Sequence, residues 1–447
     1  MSTHPENPSA PPDAAPASAG TALRATLLNR GYLRLLLLSA LLGVPVALAC
    51  FFFVALQHEL QHLVWASLPE AVGHDRPPWW WPLPALLLAG LLLAPIVTRL
   101  PGGGGHLPVH GLGGPPVGPA ALPGVVLAAL LTLPLGVVLG PEAPLMALGS
   151  GLALLCVGRL PAGHDPQARA VVANTGSTAA ISTILGGPLV AAVMVVEAAG
   201  IGGARLVALL LPCLTASATG ALVFTGFGEW TGLSVGALTL PSSLPRSGPD
   251  PGDFLWGLPL AALIAVLITL GRRLGRRTAA WTATRTARRV VACAVAVGVC
   301  AAGYALVTGR SPAEAALSGQ LTLSELAAHP QAWPVAALLA LALCKCLAWG
   351  IALGSLRGGP IFPSVLVGAA VALACAGLPG LGTTPALALG IAAAATSVTG
   401  LPLTSAVLAV LLLGRAAQDQ APLVVLASVV AVLVTQVLSR EEQQRKA

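Results

Sequence analysis

The chain of 447 residues is 56% hydrophobic and only 9% charged, against roughly 25% charged for a soluble globular domain, which excludes a water-soluble fold. At roughly 20 apolar residues per crossing, this composition provides for on the order of ten membrane helices, and unbroken apolar blocks such as 122–139 exclude a barrel of short alternating strands. Lys plus Arg (23) exceed Asp plus Glu (16), and in so apolar a chain the excess reads as a topology signal rather than as nucleic-acid binding.

Residues 1–30 are polar and rich in Pro and Ala, as in a disordered tail rather than a secretory signal. Arg24, Arg30 and Arg34 then mark a cytoplasmic edge of the first span. Apolar spans are expected near 35–56, 83–100, 122–139, 144–160, 170–185, 188–200, 204–227, 254–271, 290–307, 333–353, 361–377, 384–398, 402–414 and 422–438. Several are too short to cross a bilayer and are bounded by Gly and Pro; such broken helices occur where they line a protein cavity or water path.

At the end of the first span, His58-Glu59-Leu60-Gln61-His62 matches HExxH, the helical pair of zinc-binding histidines with a general-base glutamate. An intramembrane zinc protease built on His58, Glu59 and His62 also needs a third ligand. The aspartates (Asp13, Asp75, Asp165, Asp250, Asp253 and Asp419) all fall in expected tails or loops. A polar helix end at the interface, just ahead of Trp65, is the preferred reading.

Arg272, Arg273, Arg276, Arg277, Arg285, Arg288 and Arg289 crowd one expected cytoplasmic loop, which joins two halves at about 31–271 and 290–438. Arg440, Arg445 and Lys446, in a short tail at 439–447, place the C-terminus on the same side. The eight cysteines sit nearly all in apolar runs, and the Cys344-x-Cys346 pair has no companion ligands, so neither a disulfide nor a metal site is expected. Lys345 and Arg357 interrupt apolar sequence; each either faces an inner vestibule or snorkels to the interface.

A weak internal repeat organises the chain. GPEAPLMALGSGLA at 140–153 resembles GPIFPSVLVGAAVA at 359–372, and each is followed by a Pro-started helix, GGPLVAAVMVVEA at 186–198 and TGLPLTSAVLAVL at 399–411. Duplicated, Gly/Pro-broken apolar segments point to a transporter with its site at the repeat interface.

Three helix starts have the composition of an anion site: PGGGGHLP (101–108), GPEAP (140–144) and GGPIFP (358–363). Unpaired N–H groups and the positive end of the helix dipole attract an anion, glycine allows close approach, and proline suits the first turn. The Gly-rich run lacks the Lys-Ser/Thr ending of a nucleotide-binding loop. Glu142, flanked by two prolines between apolar runs, is costly unless it neutralises or serves an ion path. Beside an anion site its carboxylate can occupy that site and leave on protonation, which makes it a gate linked to pH.

GPEAP is similar to the gating-glutamate motif (GREGP or GKEGP) of the CLC family of chloride channels and chloride/proton antiporters, and GGPIFP resembles that family's GxFxP motif. The resemblance runs from about residue 33 to 438 in the family's order. It implies an all-α polytopic membrane protein, an inverted repeat of broken and tilted helices with the anion site at mid-membrane. Glu142 becomes the gate, and the backbone at Gly104, Gly105, His106, Gly140, Pro141, Ala143, Gly359, Ile361 and Phe362 the anion site, with Pro360 a departure that cannot donate. Two further departures remove hydroxyls: Gly105 stands where the family has an anion-contacting serine, and no tyrosine lies near the C-terminus. The family's relay carboxylate pair reads Glu197-Ala198 here, leaving Glu197 as a substitute relay or a carboxylate snorkelling at a helix end.

The resulting expectation is a homodimer in a bacterial inner membrane, both termini cytoplasmic, without a cofactor. Each subunit moves chloride or a similar small anion, with weak or absent proton coupling and with fluoride as the rival substrate.

Overall fold

The structure is a computed structural model describing residues 23–24, 27–111, 117–158, 165–232, 240, 244–245 and 248–444. Most of the expected N-terminal tail, and Arg445 and Lys446, lie outside the described residues. Among the described residues the principal helices are α1 Arg30–His62, α2 Pro82–Arg99, α3 Leu122–Thr132, α4 Glu142–Val157, α5 Pro166–Ser182, α6 Pro188–Ala198, α7 Gly203–Thr231, α8 Pro251–Thr282, α9 Thr286–Thr308, α10 Gln320–Ala328, α11 Val335–Leu353, α12 Ile361–Ala374, α13 Thr383–Thr399, α14 Pro402–Leu413 and α15 Ala417–Gln444. Among the described residues the sole β pairing is an isolated antiparallel bridge between Gly140 and Gly359.

This is an all-α polytopic membrane protein. Among the described residues seven helical stretches are long and apolar enough to cross a bilayer, and five apolar helices of 10–17 residues are not. The 16-residue α4 rises only about 24 Å, short of a hydrocarbon core of roughly 30 Å. At the other extreme, α1 is N-capped by Asn29, whose side chain accepts from Gly31 N at 2.8 Å. It runs on through a π-helical turn at Leu63–Ser67 to Ala71 without a break, a length only a tilted helix accommodates.

The expected span at 122–139 is helical only to Thr132. Pro134 cannot continue the ladder, and Gly136, at φ 107°, turns the chain toward Gly140. The Arg-rich segment is likewise not a loop. Arg272, Arg273, Arg276 and Arg277 ride on the last turns of α8, whose N-terminus is closed by an Asp250/Asp253 capping box, and only residues 283–285 separate it from α9. Arg272 donates to Ser397 O (3.1 Å) and Arg273 to Leu438 O (2.8 Å). α8 packs on α11, α13 and α15. The C-terminal tail expected from 439 is helical through Gln444.

The repeat extends further than its motifs. Gly149 of α4 packs backbone to backbone on Gly176 of α5, where an added Cβ would lie 2.2 Å from a carbonyl; Gly368 of α12 packs the same way on Gly390 of α13, at 2.3 Å. Gly149 and Gly368 stand 219 positions apart, as do Gly140 and Gly359; Gly176 and Gly390 stand 214 apart, as do Pro188 and Pro402. The second pair is the enclosed one. Every residue of α12 from Ile361 to Leu373 is buried, and so is α13 from Thr384 to Val398. Large apolar side chains on α1, α7 and α15, such as Leu37, Leu222 and Leu433, point outward, as helices facing lipid must.

Candidate functional site

The Gly140–Gly359 bridge is the centre of the site. Gly140 N donates to Gly359 O at 2.8 Å and Gly359 N to Gly140 O at 2.5 Å, so the first turns of α4 and α12 start side by side from Pro141 and Pro360. Glu142, the first residue of α4, is fully buried. Its Oε1 accepts from Phe362 N at 2.8 Å. A carboxylate thus occupies the N-terminal end of α12, where the helix dipole and unpaired amides favour negative charge. Among the described residues Oε2 has no partner and Oε1 is held by backbone alone, an expensive arrangement for an ionised group inside a membrane.

The glycines act differently from the expectation. The amides of Gly140 and Gly359 are consumed by their mutual bridge rather than offered to an ion, and Pro141 has none to offer. What the glycines supply is room: a Cβ on Gly359 would fall 1.7 Å from Glu142 Oε2, and one on Gly140 2.1 Å. Phe362 is the expected donor that does bond the carboxylate, and Ile361 precedes it as the first residue of α12. Ala143 lies in the first turn of α4.

The third expected anion motif folds as a tight turn in which Gly102, Gly103, Gly104 and Gly105 all take positive φ, 54–102°, a run that side chains rarely tolerate. Gly105 N donates back to Gly102 O at 2.9 Å, so this amide is also committed, and His106 is exposed. The turn meets the bridge through Arg357, whose Nε donates to Gly103 O at 2.9 Å and Nη1 to Leu356 O at 3.2 Å. Arg357 is 8% exposed and so is not a snorkelling surface residue.

Lys345 neither snorkels nor faces a vestibule. It is fully buried, and its Nζ donates to four consecutive carbonyls, Glu314 (3.2 Å), Ala315 (3.1 Å), Ala316 (2.8 Å) and Leu317 (3.3 Å). Leu317 N in turn reaches Gly136 O at 3.2 Å, tying this segment to the strand of chain that leads into Glu142.

Glu197, at the end of α6, caps α14: its carboxylate accepts from Leu403 N (2.9 Å), Thr404 N (2.8 Å) and Thr404 Oγ1 (2.7 Å). In the HExxH segment, His62 Nδ1 lies 3.4 Å from Ser67 Oγ, and His58 lines a cavity of about 340 Å³. Among the described residues no three His, Cys, Asp or Glu side chains are placed to hold a metal ion, so the zinc-protease alternative has no support. Sequence reasoning missed the clamp of Lys345 and the glycine pairs of α4/α5 and α12/α13; the constant offset between repeats was the signal for the latter.

Comparison with known proteins agrees with this architecture. The family model described as "Voltage gated chloride channel" matches residues 105–436. Curated relatives named "Putative ion-transport protein YfeO" are 31% identical, over 197 residues in Escherichia coli O81 (strain ED1a), covering 43% of this chain and 46% of the relative, and over 166 residues in Escherichia coli strain SMS-3-5, covering 37% and 39%. The matched stretch is therefore less than half the length of these relatives. A slow cyanobacterial Cl⁻/H⁺ antiporter shares the fold at a TM-score of 0.73 and 16% identity, covering 91% of this chain and 95% of its own. A CLC-type fluoride/proton antiporter does so at 0.66 and 18%, covering 90% and 95%. With paired broken helices meeting at a buried glutamate, and a family model matched over most of its length, the chain belongs to the CLC family of voltage-gated chloride channels and related anion transporters.

Proposed function

We propose that this protein moves chloride or a similar small anion across a bacterial inner membrane, as a homodimer with one pore per subunit, and that Glu142 is the gate of each pore. The observation that carries the reading is the buried Glu142 carboxylate accepting from Phe362 N in the first turn of α12. The same N–H groups and dipole that hold a carboxylate hold a halide, so the side chain and the ion are alternatives for one place. Protonation removes the charge that keeps the side chain there, and flux should therefore rise as pH falls. By the positive-inside rule the face bearing Arg272 to Arg289 is cytoplasmic, and so are both termini.

Proton coupling is weak or absent on this reading. Ala198 stands where the family resemblance expects the relay carboxylate, and the neighbouring Glu197 is engaged by three donors of α14. Fluoride is the second reading, supported by the absence of a hydroxyl at Gly105. The test is efflux from proteoliposomes on adding valinomycin, followed with chloride and fluoride electrodes. Chloride efflux exceeding fluoride efflux, with no uphill proton movement under a chloride gradient, is expected. A fluoride preference, or protons driven uphill, would reverse the substrate or the coupling assignment respectively.

A further inference from the structure

The arginines where α8 meets α9 fall into two groups. Arg272 and Arg273 are tethered to backbone carbonyls, Ser397 O at 3.1 Å and Leu438 O at 2.8 Å. Arg277, Arg285 and Arg288 are exposed, and among the described residues their side chains have no hydrogen bond or ion pair. No Asp or Glu stands between Asp253 and Glu314, so the corner carries its positive charge without a carboxylate nearby in the chain. Arg289 closes the corner: its Nη1 donates to Trp281 O and to Thr284 Oγ1, and its guanidinium lies 4.7 Å from the centre of the Trp281 ring.

The free arginines continue surfaces that face lipid. Helical periods of seven and eleven residues return to one face. On α8 they align the exposed Leu263 and Leu270 with Arg277, and the exposed Trp281 follows one turn later. On α9 they align the exposed Leu306 and Val299 with Arg288. Each stripe is apolar along the membrane and ends in a free arginine. Eighteen positions separate Arg288 from Leu306, about 27 Å of helix against roughly 30 Å of hydrocarbon core. Arg288 therefore stands at headgroup level when Leu306 reaches the opposite boundary. Trp281, held against the first turn of α9 by Arg289, is the kind of aromatic residue that membrane proteins keep at that level.

We infer that the α8–α9 corner binds an anionic phospholipid of the adjoining leaflet, its phosphate among Arg277, Arg285 and Arg288 and its acyl chains along the apolar stripes that lead to them. Guanidinium forks match phosphate oxygens bidentately, and basic residues just outside a transmembrane helix attract anionic headgroups. A soluble nucleic acid would meet the arginines but leave Leu263, Leu270, Val299 and Leu306 without a partner. A second copy of the chain on this face would set arginine against arginine about a two-fold axis. The site faces lipid and does not depend on what the pore carries. It nevertheless adjoins the framework of the pore: Thr282 Oγ1, at the end of α8, donates to Gly354 O at 3.0 Å, five residues before the bridging Gly359.

The test is lipid retention by the purified full chain in detergent, read by native mass spectrometry with dioleoyl phosphatidylglycerol and dioleoyl phosphatidylcholine supplied in equal amounts. The acyl chains are the same, so only the headgroup differs. Wild type should retain phosphatidylglycerol in preference. Arg277→Gln, Arg285→Gln and Arg288→Gln should each lower that preference by up to about fivefold, the effect of one basic residue near an anionic surface, and the triple variant should bring it to parity. Arg76→Gln, which removes an exposed arginine from the loop between α1 and α2, should leave the preference unchanged. The wild-type competition decides independently of any variant, and an unchanged thermal midpoint checks that the variants fold. Parity in wild type would overturn the inference, as would a triple variant that keeps the preference or an equal loss in Arg76→Gln. Displacement of the lipid by millimolar inorganic phosphate or by an RNA oligonucleotide would also overturn it, reassigning the corner to a soluble anion.

Discussion

Lys345 shows how a single buried charge can be structural in a membrane protein. Four carbonyls solvate its ammonium in place of the water or carboxylate such a group otherwise needs. They belong to a segment that also touches Gly136, just upstream of the bridge. Lys345→Met keeps the length and removes the donors, leaving buried carbonyls unsatisfied; it should cost about 2–4 kcal/mol, read as a lower thermal midpoint in detergent. An unchanged midpoint would show that the segment holds without the clamp. From sequence alone Lys345 and Arg357 had equal claims to a vestibule or to snorkelling, because hydropathy registers a charge without its partners. Carbonyls contributed by residues 314–317 and 103 carry no signature in the sequence. Glu142 was legible for the opposite reason: a carboxylate between prolines in apolar chain has few inexpensive places to go.

Among the elements, α4/α5 and α12/α13 are two copies of one packing unit. Helices associate in a membrane through close backbone approach at small residues rather than through hydrophobic exclusion, and Gly149/Gly176 and Gly368/Gly390 provide that approach. Gly149→Ala and Gly368→Ala should each lower stability by about 1–3 kcal/mol, the cost of overpacking a tight interface, as compared in parallel thermal melts. A cost confined to one copy would mean that the repeat is no longer a shared energetic unit. The copies were visible in the sequence at their Gly-Pro starts. Their extents were not: the apolar block at 122–139 concealed the stop at Pro134, and the arginines on α8 mimicked a loop, since hydropathy falls at the end of the membrane whether or not the helix continues.

For the whole molecule, an inverted repeat places two helix N-termini together in the interior, a geometry that neither half forms alone. That the chain is built of apolar helices, several of them broken, was readable because every backbone group in lipid must be satisfied within the protein, which leaves long apolar runs and Gly/Pro breaks as the only options. The division of labour at the bridge was not readable. Gly140 and Gly359 were expected to bind an ion through their amides, but they spend them on each other and give the carboxylate space. The most direct test of a pore closed by Glu142 is chloride efflux from proteoliposomes after valinomycin, with wild type at pH 7 and pH 5 beside Glu142→Ala. Wild-type efflux should rise at the lower pH, and Glu142→Ala should pass chloride at a high rate that no longer depends on pH. Equal pH dependence in wild type and variant would contradict the assignment of Glu142 as the gate.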